Sequence, residues 1–241
     1  MSNNIINTEY VTMYNNDGIV YMILHNGVQN KIQHPEFINR LVFQEYMEAE
    51  NPIALVIKGE KRHFSAGADI ERISKENKSA EDFEDELNKG KNLLHFIENL
   101  SCITIAQISG ACCGGGLEIA LSCQFRIAAD NALFAFPECK LGLLPGMGGT
   151  VRLQKIIGRS NAIRMIVSGE SFFAEEAYRL GLVNMLCEKE MLDKTVTEFI
   201  STLCDKKSSE HISDIISAIN RPSYEYESEL FVKRAGLNNL I

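Results

Sequence analysis

The sequence predicts an α/β fold, because short apolar runs alternate along the chain with segments of helical periodicity. The runs IALVIK, at 53–58, and CITIAQI, at 102–108, are nearly continuous in apolar residues. Such runs are typical of strands that are buried on both faces of a sheet. Between them, residues 79–99 place apolar side chains near helical spacing, with acidic residues in the first turns. Repeated alternation of strand and helix indicates the α/β class.

The other elements are predicted from periodicity and from turn and helix-end signals. A strand at 18–25 follows a turn rich in Asn, Asp and Gly, and Gly158 and Gly181 end two of the helices. The full order is a strand at 18–25, a helix at 36–48, a strand at 53–58, a helix at 79–99, a strand at 102–108, a helical run at 117–123, strands at 125–130 and 132–136, and helices at 148–157, 161–167 and 174–180. After residue 188 the chain becomes helical and more polar. We therefore divide it into a core of residues 1–188 and a C-terminal helical region of residues 189–241.

Composition excludes several classes of protein. With 241 residues, of which 45% are hydrophobic and 23% charged, the chain can form a sizeable core. A formal net charge of −8 argues against a general nucleic-acid binder. No apolar stretch approaches the length of a membrane helix, and the first ten residues do not resemble a signal peptide. The seven cysteines form no C-x-x-C pair and are expected to be reduced, packed thiols in a cytoplasmic protein. The scattered histidines predict no metal site.

Three glycine-rich segments are candidates for the functional site. The first, His63 to Asp69, follows a predicted strand, and its small residues would let the backbone approach a ligand and donate to an oxyanion. The second, Gly114 to Glu118, opens a helix whose free N–H groups favour negative charge. Each segment taken alone also fits an ordinary turn or loop.

The third segment runs from Phe136 to Gly149 and contains a single carboxylate among apolar residues. Glu138 is flanked by phenylalanine, cysteine and leucine. Apolar surroundings raise the pKa of a carboxyl group, which suits proton transfer near neutral pH. A salt-bridged surface glutamate is the alternative at this stage. Gly146 to Gly149 form another glycine-rich start of a helix.

Taken together, four ordered motifs resemble the crotonase superfamily, the enoyl-CoA hydratase/isomerase family. The motifs are HFSAGADI, ACCGGGLEIA, FPECKLGLLPGMGGTVRL and AEEAYRLGLVNML, and the resemblance covers Gly18 to Leu186. It implies a spiral of ββα units with a C-terminal helical trimerisation region, and therefore a homotrimer or homohexamer. It also implies an acyl-CoA substrate or an acyl group on a similar, carrier-bound pantetheine arm, no nucleic-acid or membrane partner, and no cofactor beyond the CoA thioester.

The resemblance further implies a role for individual residues. Glu118 and Glu138 match the two catalytic glutamates of the hydratases, with Glu138 delivering a proton at C2 and Glu118 activating the water that attacks C3. The backbone N–H groups of Ala66 and Gly115 match the oxyanion hole. The expected substrate-binding residues are Ala68, Asp69, Ile70, Gly114, Pro137 and Gly146. Lys61 and Arg62 are candidates for the CoA phosphates or, alternatively, a solvated basic pair.

Two departures from the family pattern bear on the substrate. The segment 26–35 lacks the Arg-Pro start of the corresponding family loop, and the chain stops at Ile241, where family members commonly continue. Both suggest a specialised substrate. Hydration is the leading hypothesis; double-bond isomerisation or decarboxylation is the second, and a catalytically weak acyl-CoA-binding subunit is the third.

Overall fold

Ten strands are found in the computed structural model, which describes residues 5–69 and 78–236. Their bounds are β1 Ile6–Asn7, β2 Val11–Asn16, β3 Ile19–Leu24, β4 Ala54–Gly59, β5 Ile103–Ile108, β6 Ala111–Cys113, β7 Phe125–Ala129, β8 Leu133–Ala135, β9 Phe172–Phe173 and β10 Met185–Cys187. The main sheet has the order β1-β2-β3-β4-β5-β7-β10. Its first three strands are antiparallel, and the strands from β3 to β10 pair in parallel.

A second, smaller sheet lies beyond the carboxyl end of β5. It has the order β6-β8-β9, with β6 and β8 parallel and β8 and β9 antiparallel. Isolated bridges join Ser65 to Cys112 on β6, and Ile32 to Ala68. The backbone of the first glycine-rich segment is thereby fixed from both sides.

The helices pack around these sheets. Their bounds are α1 Arg40–Glu50, α2 Ala80–Glu98, α3 Gly115–Ser122, α4 Gly149–Ile157, α5 Arg159–Ser168, α6 Ala174–Arg179, α7 Leu192–Cys204, α8 Ser209–Asn220 and α9 Tyr224–Arg234, with short 3-10 helices at Pro137–Leu141 and Lys189–Met191. Helix α2 begins with a capping box, in which Ser79 and Asp82 each accept a hydrogen bond from the other's backbone. Across the described residues, none of the helices is both long and apolar enough to span a membrane.

The central strands are buried on both faces, as their apolar runs predict. On β4, Leu55 and Ile57 join the larger apolar core, whereas Ala54 and Val56 face a second core formed with α7 and α8. All four side chains are fully buried. Because successive residues of a strand point to opposite faces, a continuous apolar run is required here.

Helix α3 is buried over its whole length, and a buried arginine satisfies its C-terminal end. Arg126 on β7 is 3% exposed and donates to the carbonyl oxygen of Cys123 at 2.7 Å and to that of Leu182 at 2.6 Å. It also reaches the side-chain oxygen of Asn184 at 3.2 Å. The helix end, the next strand and the loop before β10 are therefore joined through one guanidinium group.

Several boundaries differ from those predicted. Helix α1 begins at Arg40 and not at 36, because the Asn39 side chain accepts the amides of residues 41 and 42 and caps the helix there. Helix α3 begins at Gly115, two residues before the predicted start, and α5 begins at Arg159. Five strands were not predicted: β1, β2, β6, β9 and β10. The division at residue 188 stays a prediction.

Candidate active site

The first two glycine-rich segments follow neighbouring parallel strands, β4 and β5, and therefore meet at one edge of the sheet. They touch at Gly67. Its φ of 89° is accessible to glycine, and a Cβ there would lie 2.6 Å from the Cys113 carbonyl oxygen and 3.2 Å from the Gly115 amide nitrogen. Any larger residue at position 67 would push the two segments apart.

A buried polar network fixes the backbone of the first segment. The Asn30 side chain donates to the His63 carbonyl at 2.7 Å, and the Ser65 hydroxyl donates to the Asn30 carbonyl at 2.7 Å. The Ser65 hydroxyl also accepts the Gly67 amide at 3.1 Å. Asn30 and Ser65 are 2% and 0% exposed. Since these buried groups pair with one another, the segment is held rigidly in front of β6.

The prediction that the Ala66 amide contributes to an oxyanion hole is wrong. That amide donates to the Gln29 carbonyl at 2.9 Å and is therefore occupied. The neighbouring Ala68 amide has no acceptor in the described part of the chain, and a Cβ built on Gly115 would lie 3.9 Å from its nitrogen. Ala68, predicted as a substrate-binding residue, is thus the better donor on geometric grounds.

The Gly115 amide is the natural companion of the Ala68 amide. Gly115 is the first residue of α3, so its N–H has no partner within the helix. Each of the three glycines lies close to a different neighbour. A Cβ at Gly114 would meet Glu138 at 2.9 Å, one at Gly115 would meet Met147 at 2.9 Å, and one at Gly116 would meet Ser65 at 2.7 Å. The run is therefore more than a plain loop.

Glu118 lies one turn into α3 and is 2% exposed. Its Oε1 accepts two amides, from Met147 and from Gly149, each at 2.7 Å. The pKa of Glu118 is raised to about 7, chiefly by burial and also by the nearby charge of Glu138, while the amides of Gly149 and Met147 and the charge of Arg152 lower it. One carboxyl oxygen is thus fixed, and the group is near its titration midpoint at neutral pH.

Glu138 lies in the 3-10 helix Pro137–Leu141 and is half-buried. Burial raises the pKa of its carboxyl group. Its Oε2 is buried and has no hydrogen-bond partner within residues 5–69 and 78–236. The alternative of a salt-bridged surface glutamate is therefore contradicted. An orphaned buried carboxyl oxygen is costly, and such a group is expected where a ligand or water completes the site.

The two carboxyl groups share one site. Glu138 contacts the N-terminal end of α3 at Gly114, and its charge acts on Glu118 one turn further along. Two interacting carboxyl groups of raised pKa can hold a single proton between them at neutral pH. Such a pair can exchange a proton with a substrate in either direction.

The remaining predicted residues have different positions. The Asp69 carboxylate accepts from Lys31 at 3.4 Å and from Gln33 at 3.3 Å, so it joins the 26–35 loop to the first glycine-rich segment. Pro137 begins the 3-10 helix that carries Glu138, and Gly146 packs against Leu87. Ile70 lies outside the described residues. The direct contact of these residues with substrate stays a prediction.

Lys61 and Arg62 are both exposed. The Lys61 ammonium is 3.3 Å from the Glu60 carboxylate and borders a surface cavity with Lys58 and Lys189. A role in binding CoA phosphates stays a prediction. In the described ranges, His, Cys, Asp and Glu side chains form no cluster that could hold a metal ion.

The sequence identified the glycine-rich segment at 146–149 but did not predict its contact with Glu118. Met147 and Gly149 supply both amides to its carboxylate, and Arg152 contacts the Met147 carbonyl at 2.9 Å. The glycine-rich start of α4 was the available signal, because free amides at a helix start favour a carboxylate.

Comparison with known proteins agrees with this geometry. The family model described as enoyl-CoA hydratase/isomerase matches residues 14–237. The chain belongs to this family. The resemblance to the crotonase superfamily and the predicted fold class are thereby confirmed. Membership establishes a crotonase-type enzyme fold and leaves the choice between hydration and isomerisation open.

Proteins similar to this chain have names that refer to enoyl-CoA hydratases or to fatty acid oxidation. The chain is 37% identical over 180 residues to a probable enoyl-CoA hydratase of Bacillus subtilis, covering 73% of this chain and 69% of that protein. It is 38% identical over 146 residues to the fatty acid oxidation complex subunit alpha of Shewanella loihica. That alignment covers 60% of this chain and only 20% of the longer protein. An enoyl-CoA hydratase structure from Geobacillus kaustophilus superimposes with a TM-score of 0.84 at 28% identity, covering 94% of this chain and 88% of that one.

Proposed function

We propose that the protein is an enoyl-CoA hydratase, which adds water across the C2–C3 double bond of an enoyl-CoA thioester. The observation that carries the proposal is the pair of carboxyl groups, Glu118 and Glu138, beside the amides of Ala68 and Gly115, which have no acceptor among residues 5–69 and 78–236. A thioester oxygen and an adjacent double bond require this combination of two donors and two proton carriers.

The mechanism divides the work between the backbone and the side chains. The amides of Ala68 and Gly115 donate to the thioester oxygen and stabilise the negative charge that develops there. Glu118 takes a proton from water as the water oxygen bonds to C3. The electron pair of the double bond moves through C2 to the thioester oxygen, and Glu138 then gives its proton to C2. Gly146 lines the position of the water.

The proton count closes without any further group. Water gives one proton to Glu118, and its remaining hydroxyl group bonds to C3. C2 gains the proton of Glu138. The pair therefore ends the cycle with its proton transferred from one carboxyl to the other. Loss of the proton from Glu118 and reprotonation of Glu138, both by exchange with solvent, restore the starting state. We accordingly propose that no cofactor beyond the CoA thioester is needed.

The expected contributions are large enough to measure. Removal of one oxyanion donor typically lowers kcat by about 10²–10³-fold. Removal of a general acid or base typically lowers it by about 10²–10⁴-fold. Glu118→Gln and Glu138→Gln should each fall in the second range while leaving CoA binding intact.

The deciding experiment compares two substrates. Loss of the enoyl-thioester absorbance is followed with crotonyl-CoA, and then turnover of a 3-enoyl-CoA is measured. Hydration of crotonyl-CoA that depends on both glutamates supports the proposal. Consumption of the 3-enoyl-CoA alone would reassign the protein as an isomerase. Wild-type activity in both glutamine variants would refute the catalytic role of the pair.

We also propose a homotrimer or homohexamer assembled through the C-terminal helices. Apolar side chains on α8 and α9 are exposed in the single chain, among them Ile219 at 71% and Phe231 at 72%. Exposed apolar surface of this kind is typical of subunit interfaces. Sedimentation equilibrium of the wild type gives the assembly, and a monomer at micromolar concentration would exclude it.

A further inference from the structure

The turn Met147–Gly149 holds Glu118 by two amides that converge on one oxygen. The amides of Met147 and Gly149 both lie 2.7 Å from Glu118 Oε1. Between them, Gly148 has a φ of 104°, a conformation that L-residues rarely adopt. This conformation lets two nearby N–H groups point at the same atom. The direction of the Glu118 carboxylate therefore depends on the shape of this turn.

Arg152 is the side chain that fixes the turn from behind. It lies one turn into α4 and is 8% exposed. Its Nη1 donates to the Met147 carbonyl at 2.9 Å. A Cβ at position 148 would clash with the same nitrogen. Position 148 is thus restricted to glycine by both the backbone angle and the guanidinium group.

Arg152 is itself held by the last residue of α2. Its Nε donates to Glu98 Oε2 at 3.1 Å, and its Nη2 lies 3.0 Å from the same oxygen. A buried guanidinium requires such a partner, because an unpaired charge in the interior is costly. The chain of contacts runs from α2 through Glu98 and Arg152 to the turn, and from the turn to Glu118.

The charges around this chain are few. Glu118 is influenced by Arg152 from α4 and by Glu138 from the 3-10 helix, among the described residues. Arg152 faces Glu98, and His95 lies 3.8 Å from Glu98 on the same helix. Cys113 on β6 interacts with Glu138. The positive charge of Arg152 therefore acts on both Glu98 and Glu118, and the negative charge of Glu98 reduces its effect on Glu118.

We propose that Arg152 is a positioning residue for the general base Glu118, and that Glu98 sets how strongly Arg152 acts on it. This inference rests on the proposed function, since it assigns Glu118 the role of base. Arg152 fixes the turn that orients the carboxylate, and its charge favours the ionised form. Glu98 fixes the orientation of Arg152 and withdraws part of that charge.

Opposite shifts in the pH profile distinguish this role from a structural ion pair. Activity should rise with pH as Glu118 ionises, so the acidic limb of kcat/KM reports on this group. Arg152→Met removes the favourable charge and should move the midpoint to higher pH. Glu98→Gln keeps an oxygen acceptor for Arg152 but removes its negative charge, so the midpoint should move down. A purely structural pair would give no such opposite shifts.

Arg152→Lys separates charge from geometry. Lysine keeps the positive charge but cannot reach Met147 and Glu98 at once as a planar fork. Its pH midpoint should stay near that of the wild type, while kcat falls by about 10²-fold because the carboxylate is displaced. KM should change little in all three variants. Arg164→Met removes a comparable arginine, which pairs with Glu176 at 2.8 Å on the surface, and should leave the profile unchanged.

A measurement without substrate separates this inference from the proposed function. The free energy of unfolding in urea is measured at pH 5 and pH 8 for the wild type, Arg152→Met, Glu118→Gln and the double variant. Arg152→Met should enlarge the loss of stability between the two pH values, and Glu118→Gln should abolish that enlargement. A wild type inactive on crotonyl-CoA with this coupling intact would refute only the hydratase assignment. The role of Arg152 would be overturned if the unfolding measurements showed no coupling between Arg152 and Glu118. It would also be overturned if the pH midpoints of Arg152→Met and Glu98→Gln shifted in the same direction or did not shift.

Discussion

Replacement of Glu118 by glutamine should make the protein more resistant to unfolding at alkaline pH while abolishing most of its activity. Burial raises the pKa of this carboxyl from 4.5 to about 7 in the folded chain. Below pH 4.5 both the folded and the unfolded chain carry the proton. As pH rises towards 7 only the folded chain retains it, so the stability gained from protonation is lost as pH passes through 7.

The magnitude follows from the same values. At about 1.4 kcal/mol for each pH unit, the rise in pKa corresponds to about 3 kcal/mol of unfolding free energy lost between pH 4.5 and pH 8. Glutamine does not titrate, and its oxygen can still accept the amides of Met147 and Gly149. The variant should therefore lose about 3 kcal/mol less than the wild type over this range, with kcat lowered by about 10²–10⁴-fold.

Urea unfolding at fixed protein concentration, repeated from pH 4.5 to pH 8.5, measures this difference. Glu198→Gln, an exposed glutamate on α7, is the matched control and should follow the wild type. The activity assay with crotonyl-CoA is run on the same samples. Parallel pH dependences for Glu118→Gln and the wild type would show that the folded protein does not retain this proton, and the reasoning about burial would be refuted.

Three further substitutions test the packing around the site. Gly90→Ala lies in the middle of α2, where alanine normally stabilises a helix by about 1 kcal/mol relative to glycine. Here the new Cβ would lie 2.6 Å from Pro35 and 2.9 Å from the Met147 sulfur, so the variant should have a lower Tm in thermal unfolding. A higher Tm would contradict this packing. Ser65→Ala leaves the buried Asn30 carbonyl without its donor and should cost about 1–3 kcal/mol in urea unfolding, with no loss if that carbonyl finds another donor. Met147→Ala removes the methyl group over Gly115 and should raise the ratio of kcat/KM for a longer enoyl-CoA to that for crotonyl-CoA, whereas an unchanged ratio would place the acyl tail elsewhere.

The elements that the sequence predicts well are those whose signal is local. The strand at 53–58 and the helix at 79–99 are found within a residue or two, because a continuous apolar run and the helical spacing of apolar residues are visible in a short stretch. Strand β2 was missed because Thr12, Tyr14 and Asn15 give it no continuous apolar run. Strand β6 has three residues and depends on pairing with β8, which lies outside its own sequence.

The same distinction applies to the site. The two glutamates are brought together as their motifs suggest, although their catalytic role stays a prediction. The prediction that the Ala66 amide is an oxyanion donor was wrong for a non-local reason. This amide donates to the backbone carbonyl of Gln29, and a contact between two backbone groups distant in sequence has no side-chain signal. Arg152 was missed for the same reason, because its partner Glu98 lies 54 residues earlier in the chain.

The burial of α3, with Arg126 at its C-terminal end, determines where the molecule can move. Amides of such a helix are expected to exchange with deuterium only when the whole domain unfolds, since no smaller opening exposes them. Any motion that admits a substrate therefore falls to parts of the chain other than the helix that carries Glu118 and the Gly115 amide. The base and the adjacent amide donor thus keep the same relative position throughout the catalytic cycle.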